Sequence, residues 1–528
     1  MIQNSLSKLQ NTVTKLEKEN QRLKEANYKF SQENFRLRKK IQELEENMDK
    51  IIEEKVTEIT NKLYKELIVE NELLKQENEK LKRILNNTSE NSGIPTSKTP
   101  IGKDKRIPPN SREKSDKIKG GQLGHKKHKL EKFNDDEITD TYIHEIKNSK
   151  CSCGGTLIKI GQREKDEFEI DIRLMKIRHE FGEYQCDCCN KVISVPIPKN
   201  LKEENQYGNN AQAIALSLLN EGFVSYHRTR ELINGFTGGE MLMSEGYLVK
   251  LQKRCYDKLE LFDTELNKKI LKEPVINWDD TVITINGKQS CLRFYGTQNF
   301  AYYKAHLKKN KEGIDEDNIL QYLPKNCVVV HDHNIVNYND DYDSTNAECC
   351  VHLIRDLKKL NEVLPRAWID KLIELLVTTN KKRNDYINQR IEFFDQEITD
   401  KVVIDYDEII KEGRETNKKD FNKYYGNEEK TLLNRLGKYK ENYLLWVLRF
   451  DVPFSNNLSE RSLRSSKTKM KVSGQFANIQ NAEYYARIKS YIETCKRNKI
   501  NSHEALLRLL QDKPYTIEEL LKNEKNSE

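Results

Sequence analysis

The chain has 528 residues, of which 36% are hydrophobic and 33% charged, and a formal net charge of +7. This length predicts three or four domains rather than one core, and the small apolar share predicts long polar or coiled stretches. No apolar run reaches 18 residues and the N-terminus has no signal-like apolar segment, so we expect neither a membrane span nor secretion. The eleven cysteines are then expected to be reduced thiols, some of them bound to metal.

Residues 2–51 carry seven heptads without Gly or Pro, a pattern that predicts a coiled coil within residues 1–90. A second seam through Leu67, Leu74 and Leu81 is out of phase with the first, so we expect a break near 52–62. We expect the coiled coil to form a homo-oligomer. The alternative is one amphipathic helix packed on its own chain. The d positions are Ile2, Leu9, Leu16, Leu23, Phe30, Leu37, Leu44 and Ile51, and successive a positions are Asn20, Asn27 and Asn34.

Residues 91–130 have the composition of a basic, disordered linker. They contain four of the eleven prolines. Between Lys98 and Lys129 there are eleven Lys and Arg residues and only three acids. Such a segment cannot bury a core, and its charge suits DNA phosphates. Lys126, Lys127 and Lys129 are the candidate DNA contacts, and a plain solvated linker is the alternative.

Residues 131–200 contain two groups of closely spaced cysteines around a segment rich in strand-forming residues. Cys151 and Cys153 precede two glycines, and Cys186 and Cys189 have the spacing of a zinc knuckle, with Cys188 between them. Four thiolates in this arrangement predict a small zinc ribbon with one structural zinc ion. A metal-free β element is the alternative. The following residues, 201–272, have helical periodicity and predict a region that contacts DNA or connects domains.

The pattern changes to β at Val275 and predicts an α/β catalytic domain over residues 273–500. Asn286-Gly287 is a hairpin turn signal between two strands, a helical stretch follows near Asp315–Leu323, and the apolar run CVVV leads to Asp332. This order is typical of the start of a ribonuclease H-like fold. A helical insertion is predicted at about 356–448 and a helical tail at 501–528. The chain as a whole is therefore predicted to be a multidomain α+β protein.

Three acids occupy chemically informative positions in this region. Asp279 lies on the first strand, Asp332 follows the second apolar strand, and Glu460 begins a basic helix. Carboxylates gathered by a fold can hold two Mg²⁺ ions that assist phosphodiester chemistry. Each acid could instead be a solvated charge, and Glu460 could form a capping box with Asn457 as the N-cap.

The segment after Glu460 is basic and predicts a surface that neutralises a DNA strand, or else an ordinary solvated helix face. Arg464 could also pair with Glu460 at i,i+4. The candidate DNA contacts are Arg461, Arg464, Lys467 and Lys469.

Several strings of the chain, in order, resemble the large DDE subunit of the bacterial insertion-sequence transposases of the sixty-six family. They are GGQLGHKKHK, the cysteine groups, WDDT, VVHDH, CCVHLIR, NNLSERSLR and SYIETCKRNKIN, and they cover roughly residues 65–515. Asp280 stands where the family usually has Glu, and the first cysteine pair is shortened to C-x-C.

The resemblance implies a DNA transposase that cleaves the ends of its element and transfers them into target DNA. It implies two magnesium ions, or manganese, at Asp279, Asp332 and Glu460, and supporting roles for Asp280, His352 and Arg355. A buried structural histidine is the alternative for His352. The implied partners are double-stranded DNA and accessory transposition proteins, and the implied location is the bacterial cytoplasm near the nucleoid. A nuclease without strand transfer and an inactive DNA-binding relative remain alternative functions.

Overall fold

The computed structural model describes residues 2–46, 63–78, 132–147, 149–170, 172–198, 201 and 203–525. They divide into two units. The first comprises Met1–Pro108, Ile197–Ile233 and Leu242–Glu528, and the second comprises Pro109–Pro196 and Asn234–Met241. Among the described helices, none combines the length and apolar character needed to cross a membrane.

The N-terminal heptads lie on one continuous helix, α1 (Ile2–Glu46). A second helix, α2 (63–78), carries part of the second seam, and Glu72 on it forms an ion pair with Lys423. The predicted break at 52–62 and the basic linker, with Lys126, Lys127 and Lys129, lie outside the described residues. Association between chains through α1 stays a prediction.

The second unit contains little regular structure. A short 3₁₀ helix (Asp135–Glu137) is followed by extended chain and by one antiparallel pair, β1 (Glu183–Gln185) with β2 (Val192–Ser194). The zinc-ribbon hypothesis expected two hairpins, whereas the first cysteine turn is closed only by an isolated bridge between Lys150 and Thr156.

The first unit holds a five-stranded mixed sheet. Its strands are β3 (Val275–Ile285), β4 (Lys288–Gly296), β5 (Ala301–His306), β6 (Val328–His331) and β7 (Thr345–Glu348). The order is β5-β4-β3-β6-β7. The pairs β3–β4 and β4–β5 are antiparallel, and the pairs β3–β6 and β6–β7 are parallel.

The turn between β3 and β4 forms where the sequence predicts it. Asn286 and Gly287 have φ angles of 46° and 73°, which a two-residue type I′ hairpin requires and which Asn and Gly adopt at least cost. Ile285 therefore pairs directly with Lys288. Strands β5 and β7 were not predicted from the sequence.

Helices surround the sheet. Those before β3 are α3 (Asn209–Asn220), α4 (Tyr226–Phe236), α5 (Glu245–Lys258) and α6 (Glu260–Ile270). The short α7 (Lys311–Asp315) and a 3₁₀ turn (Leu320–Tyr322) occupy the segment where one helix was expected. Another 3₁₀ turn (Ile335–Asn337) follows β6. The remaining helices are α8 (Cys350–Val363), α9 (Ala367–Asn388), α10 (Gln396–Lys419), α11 (Gly426–Lys438), α12 (Lys440–Leu448), α13 (Asn457–Ser473), α14 (Ile479–Arg497), α15 (Ser502–Leu510) and α16 (Ile517–Lys525).

The helical insertion, α8 to α12, shares its apolar core with β6. At its centre the fully buried carboxylate of Glu429 accepts hydrogen bonds from Arg366 (3.1 Å), Trp368 (3.0 Å) and Asn417 (2.8 Å). A buried charge is tolerated only when paired and hydrogen-bonded in this way. The insertion is therefore held to the sheet by apolar packing and is ordered internally by one satisfied polar cluster.

Helix α13 packs against β3 through a face of small side chains. Ser459, Ser462 and Ser466 are buried and alternate with the apolar Leu463 and Met470. Short side chains let the helix backbone approach the strand closely. The opposite face of α13 carries exposed basic residues. The helix ends at Gly474, whose φ of 82° is costly for other residues and whose N–H bonds to Met470 O.

Asn456 joins three elements at the start of α13. Its amide nitrogen donates to Trp278 O (2.9 Å) on β3, and its side-chain oxygen accepts from Asn277 Nδ2 (3.0 Å) and from Ser459 Oγ (2.9 Å). Its backbone N–H donates to Cys349 Sγ (3.1 Å), immediately before α8. The side chain is completely buried, and these bonds satisfy it.

We predict that Asn456→Ala destabilises this region by about 2–4 kcal/mol, because it leaves buried polar groups of β3 and α13 without partners. All three tryptophans, Trp278, Trp368 and Trp446, lie in the sheet and the insertion, so urea unfolding followed by tryptophan fluorescence reports on this region. Asn457→Ala is the matched control and should cost less than about 1 kcal/mol. Equal losses in the two variants would contradict the clamping role of Asn456.

Candidate functional site

Three separate elements bring Asp279, Asp332 and Glu460 to one end of the sheet. Asn277 of β3 pairs with Val330 of the parallel strand β6. Asp279 and Asp332 each lie two residues further along, so they extend from neighbouring strands about 4.8 Å apart. Glu460 lies in the first turn of α13, which packs against β3.

The two neighbouring aspartates of β3 point to opposite faces of the sheet. The odd-numbered residues Ile283 and Ile285 pack in the same apolar cluster as α13, and Asp279 shares their face because side chains alternate along a strand. Asp280 faces the other way and forms an ion pair with Lys309 (2.7 Å). Asp279 is thus the aspartate of the pair that faces α13 and Glu460.

The surroundings of Asp279 are unfavourable for a negative charge. Burial, and then the nearby carboxylate of Asp332, raise the pKa of Asp279 to about 7. The Asp280 backbone N–H (2.8 Å) and the charge of Lys467 act in the opposite direction. A bound cation would remove this penalty.

His352 and Arg355, one turn apart on α8, contact two of the three acids. His352 Nδ1 lies 2.9 Å from Asp332 Oδ1, and His352 Nε2 lies 3.3 Å from Glu460 Oε1. Arg355 Nη1 lies 3.3 Å from the same oxygen of Glu460. Burial favours the neutral imidazole, but contacts with Asp332 and Cys349 outweigh it and raise the pKa of His352 to about 11. His352 is half-buried and lies within the site, which does not fit the alternative of a purely structural histidine.

The capping box expected at Glu460 is absent. The N-cap of α13 is Asn456, whose side chain is engaged by β3 and Ser459, and Glu460 falls in the fourth helical position. Its carboxylate instead contacts His352, Arg355 and, more distantly, Arg464 (3.7 Å).

The basic residues of α13 divide between two faces. Arg461, Arg464 and Lys467 are exposed, and Arg464 and Lys467 follow Glu460 at helical spacing along one face. Lys469 was predicted to contact DNA, and this prediction is wrong. It is buried, donates to Leu219 O (3.1 Å), and therefore cannot contact DNA. Its burial also lowers its pKa to about 8.

Several residues near the acids were not identified as candidates from the sequence. The buried Glu348, at the end of β7, accepts from His333 Nδ1 (2.6 Å) and Tyr338 Oη (2.5 Å) and so orders the loop that carries Asp332. Asn456 and Cys349 are the other two residues near the acids that were not identified from the sequence. The β3 partners of Asn456 are distant in the chain. His333 adjoins Asp332, and Cys349 lies three residues before His352, so these two residues had a local signal in the sequence.

The cysteines of the second unit form two separate turns. Hydrogen bonds within each turn, mainly from Cys153 and from Cys189, lower the pKa of Cys151 and of Cys186 respectively, as in sites that present thiolates to a metal. The four sulfurs do not, however, form one cluster of ligand distance among the described residues.

One further cluster of possible ligands lies beside the acids. Asp332, Cys349 and His352 each offer one donor atom, and these atoms lie within 4.8 Å of one another. Within the described parts of the chain this is the sole group of three or more His, Cys, Asp or Glu residues so arranged.

No curated protein matches the chain. The sequence model of the family described as "Transposase IS66 family" matches residues 204–484, more than half of the chain, and the match contains all three acids as well as His352 and Arg355. The chain therefore belongs to the IS66 family of transposases.

Proposed function

We propose that this transposase cleaves the ends of its element and joins them to target DNA through a DDE site made of Asp279, Asp332 and Glu460. The observation that carries the proposal is their convergence from β3, the end of β6 and the start of α13, with the pKa of Asp279 raised by burial and by Asp332. Closely spaced carboxylates with a raised pKa are typical of cation sites.

The sheet supports a ribonuclease H-like assignment. Three antiparallel strands, β3 to β5, are extended on one side by two parallel strands, β6 and β7, and the acids lie on the first strand, after the fourth strand and on a later helix. The long helical insertion between Asp332 and Glu460 leaves this arrangement intact, since both of its ends return to the sheet edge.

The oxygen donors of the three acids fit magnesium or manganese, which would supply an activated nucleophile and stabilise the leaving oxygen. To bind the cation, Asp279 would lose a proton. Burial and the nearby charge of Asp332 favour its protonated form when no cation is bound. His352 and Arg355 would hold Glu460 and Asp332 in fixed directions. Arg461, Arg464 and Lys467 would bind phosphates of the DNA beside them.

The other parts of the chain would serve assembly. The α1 coiled coil would pair subunits so that two element ends are held together, zinc would draw the two cysteine turns of the second unit together, and the basic linker would bind DNA backbone. Accessory transposition proteins are further proposed partners. A nuclease that cuts without joining is the second candidate function. A strand-transfer assay on a pre-cut end separates the two, because only a transposase joins that end to target DNA.

We predict that Asp279→Asn, Asp332→Asn and Glu460→Gln each lower magnesium-dependent cleavage by on the order of 10³-fold or more, because several kcal/mol of transition-state stabilisation are lost. The substrate is a duplex carrying the inverted repeats that flank the reading frame. DNA binding, measured by mobility shift, should persist. Asp280→Asn is the matched control and should lose less than about tenfold. A fully active Asp279→Asn variant would remove Asp279 from the site.

We predict that, without divalent cations, Asp279→Asn becomes progressively more stable than the wild type as the pH rises. The folded wild type holds its proton up to about pH 7, whereas the unfolded chain releases it near 3.8, so wild-type stability falls across this window. The gain at pH 8 should be a few kcal/mol at most, at about 1.4 kcal/mol per pH unit of the window. Thermal unfolding at pH 5 and pH 8 measures it. A variant less stable than the wild type at pH 8 would refute the prediction.

We predict that replacing Leu16, Leu23 and Leu37 by Ser disperses the oligomer, because these d positions form its apolar seam. Sedimentation of the full chain should show the monomer, and single-end DNA binding should survive while paired-end complexes are lost. Replacing Lys15, Arg22 and Arg36 by Ser, in the same heptads but away from the seam, is the control. Paired-end complexes that persist in the Leu variant would place pairing elsewhere in the chain.

A further inference from the structure

The residues of the cluster, Asp332, Cys349 and His352, come from the chain segments before and after β7. Asp332 follows β6, Cys349 is the last residue before α8, and His352 lies in the first turn of α8. Cys349 is almost completely buried, while about a third of each of the other two side chains is exposed. Each residue offers one donor atom, and the three atoms lie within 4.8 Å of one another.

We propose that Asp332 Oδ1, Cys349 Sγ and His352 Nδ1 bind one thiophilic divalent cation of the zinc class beside the magnesium carboxylates. Sulfur and imidazole nitrogen are ligands that zinc favours and magnesium does not. Three protein ligands with an open fourth position are typical of zinc sites that admit water or substrate. This site is separate in chemistry from the DDE carboxylates and shares only Asp332 with them.

The spacing of the donors suits such an ion. His352 Nδ1 lies 3.3 Å from Cys349 Sγ and 2.9 Å from Asp332 Oδ1. Bond lengths of about 2.3 Å to sulfur and about 2.0 Å to nitrogen or oxygen place tetrahedral ligand atoms roughly 3.3–3.6 Å apart. The first separation already falls in this range, the second would have to widen by a few tenths of an ångström, and the third pair of atoms lies within 4.8 Å.

Two contacts around the donors are compatible with a zinc site. The Asn456 backbone N–H donates to Cys349 Sγ (3.1 Å), so the sulfur acts as an acceptor. The other imidazole nitrogen, His352 Nε2, lies 3.3 Å from Glu460 Oε1. Metal-binding histidines commonly donate their second ring N–H to a carboxylate, which fixes the ring and its tautomer. Arg355 Nη1 lies 2.9 Å from Nε2 and can only donate, so an ion at Nδ1 requires the ring proton to move to Nε2 and leaves Arg355 with its contact to Glu460 Oε1 (3.3 Å).

Asp332 Oδ1 is buried and lies 2.9 Å from His352 Nδ1, with which it forms an ion pair. A cation bound at His352 Nδ1 would replace the ring proton in this pair, and the carboxylate oxygen would keep a positive partner. Asp332 has two oxygens, so its binding to this ion leaves the other oxygen for the DDE carboxylate site.

The test is metal binding by the full chain without DNA and without magnesium. Chelator-stripped protein is titrated with Zn²⁺ by calorimetry, and with Co²⁺ to follow the thiolate-to-metal absorption band. We expect Cys349→Ser to bind one ion fewer than its parent. Because the cysteines of the second unit could also take zinc, the comparison is repeated in a Cys186→Ser, Cys189→Ser background, where the same difference of one ion is expected.

Two further variants keep the test decisive. His352→Gln should weaken the same zinc equivalent by at least about 100-fold. Cys350→Ala removes the neighbouring buried thiol, which bonds to Tyr443 O rather than to the cluster, and should keep the full zinc count. Tryptophan fluorescence confirms that each variant is folded.

An unchanged zinc count in folded Cys349→Ser and His352→Gln would overturn the proposal. So would an equal loss in Cys350→Ala, because it would show that the loss arises from general damage to α8. Since the measurement involves neither DNA nor magnesium, its result is independent of whether the chain cleaves DNA.

Discussion

The architecture of the site depends on the hydrogen bonds of Asn456. Its side chain holds the backbone of β3, its own N–H holds the sulfur that precedes α8, and its carbonyl begins α13. A neutral amide is suited to this junction because it can both donate and accept, so one backbone carbonyl and two side-chain donors are satisfied in one buried volume. Without this junction, α13 and α8 could slide relative to β3, and Glu460 and His352 would lose their fixed distances to Asp332.

This rigidity is needed because the carboxylates repel one another. Asp279 and Asp332 extend from neighbouring strands and Glu460 lies on the helix that packs against β3. Burial is the main reason why the pKa of Asp279 is raised, and the nearby charge of Asp332 adds to it. Positive groups from α8 and α13 contact or lie near these acids and offset the repulsion; they are His352, Arg355, Arg464 and Lys467. The fold therefore holds a cluster of negative charge that is unfavourable alone and becomes favourable when cations occupy it.

The helical insertion contributes to the site although it lies mostly far from it. Its first helix, α8, supplies His352 and Arg355, and its apolar core includes Val328 and Val330 of β6, the strand that leads to Asp332. The buried cluster around Glu429 orders the insertion internally. Packing of the insertion thus sets the angle at which α8 presents its histidine to the acids.

The sequence alone determined the features that depend on local chain chemistry. The α1 helix follows from heptad periodicity, the β3–β4 hairpin from Asn286-Gly287, and the positions of Asp279 and Asp332 from the apolar strands that carry them. Tertiary structure alone decided the features that depend on distant partners. It placed Asp279 rather than Asp280 toward α13, because α13 covers only one face of the sheet. It buried Lys469 against Leu219, made Asn456 the N-cap of α13, and brought Asp332 to Cys349 and His352 at the start of α8. Hydrogen bonds and charges between residues so far apart in the chain leave no periodic pattern for a sequence to reveal.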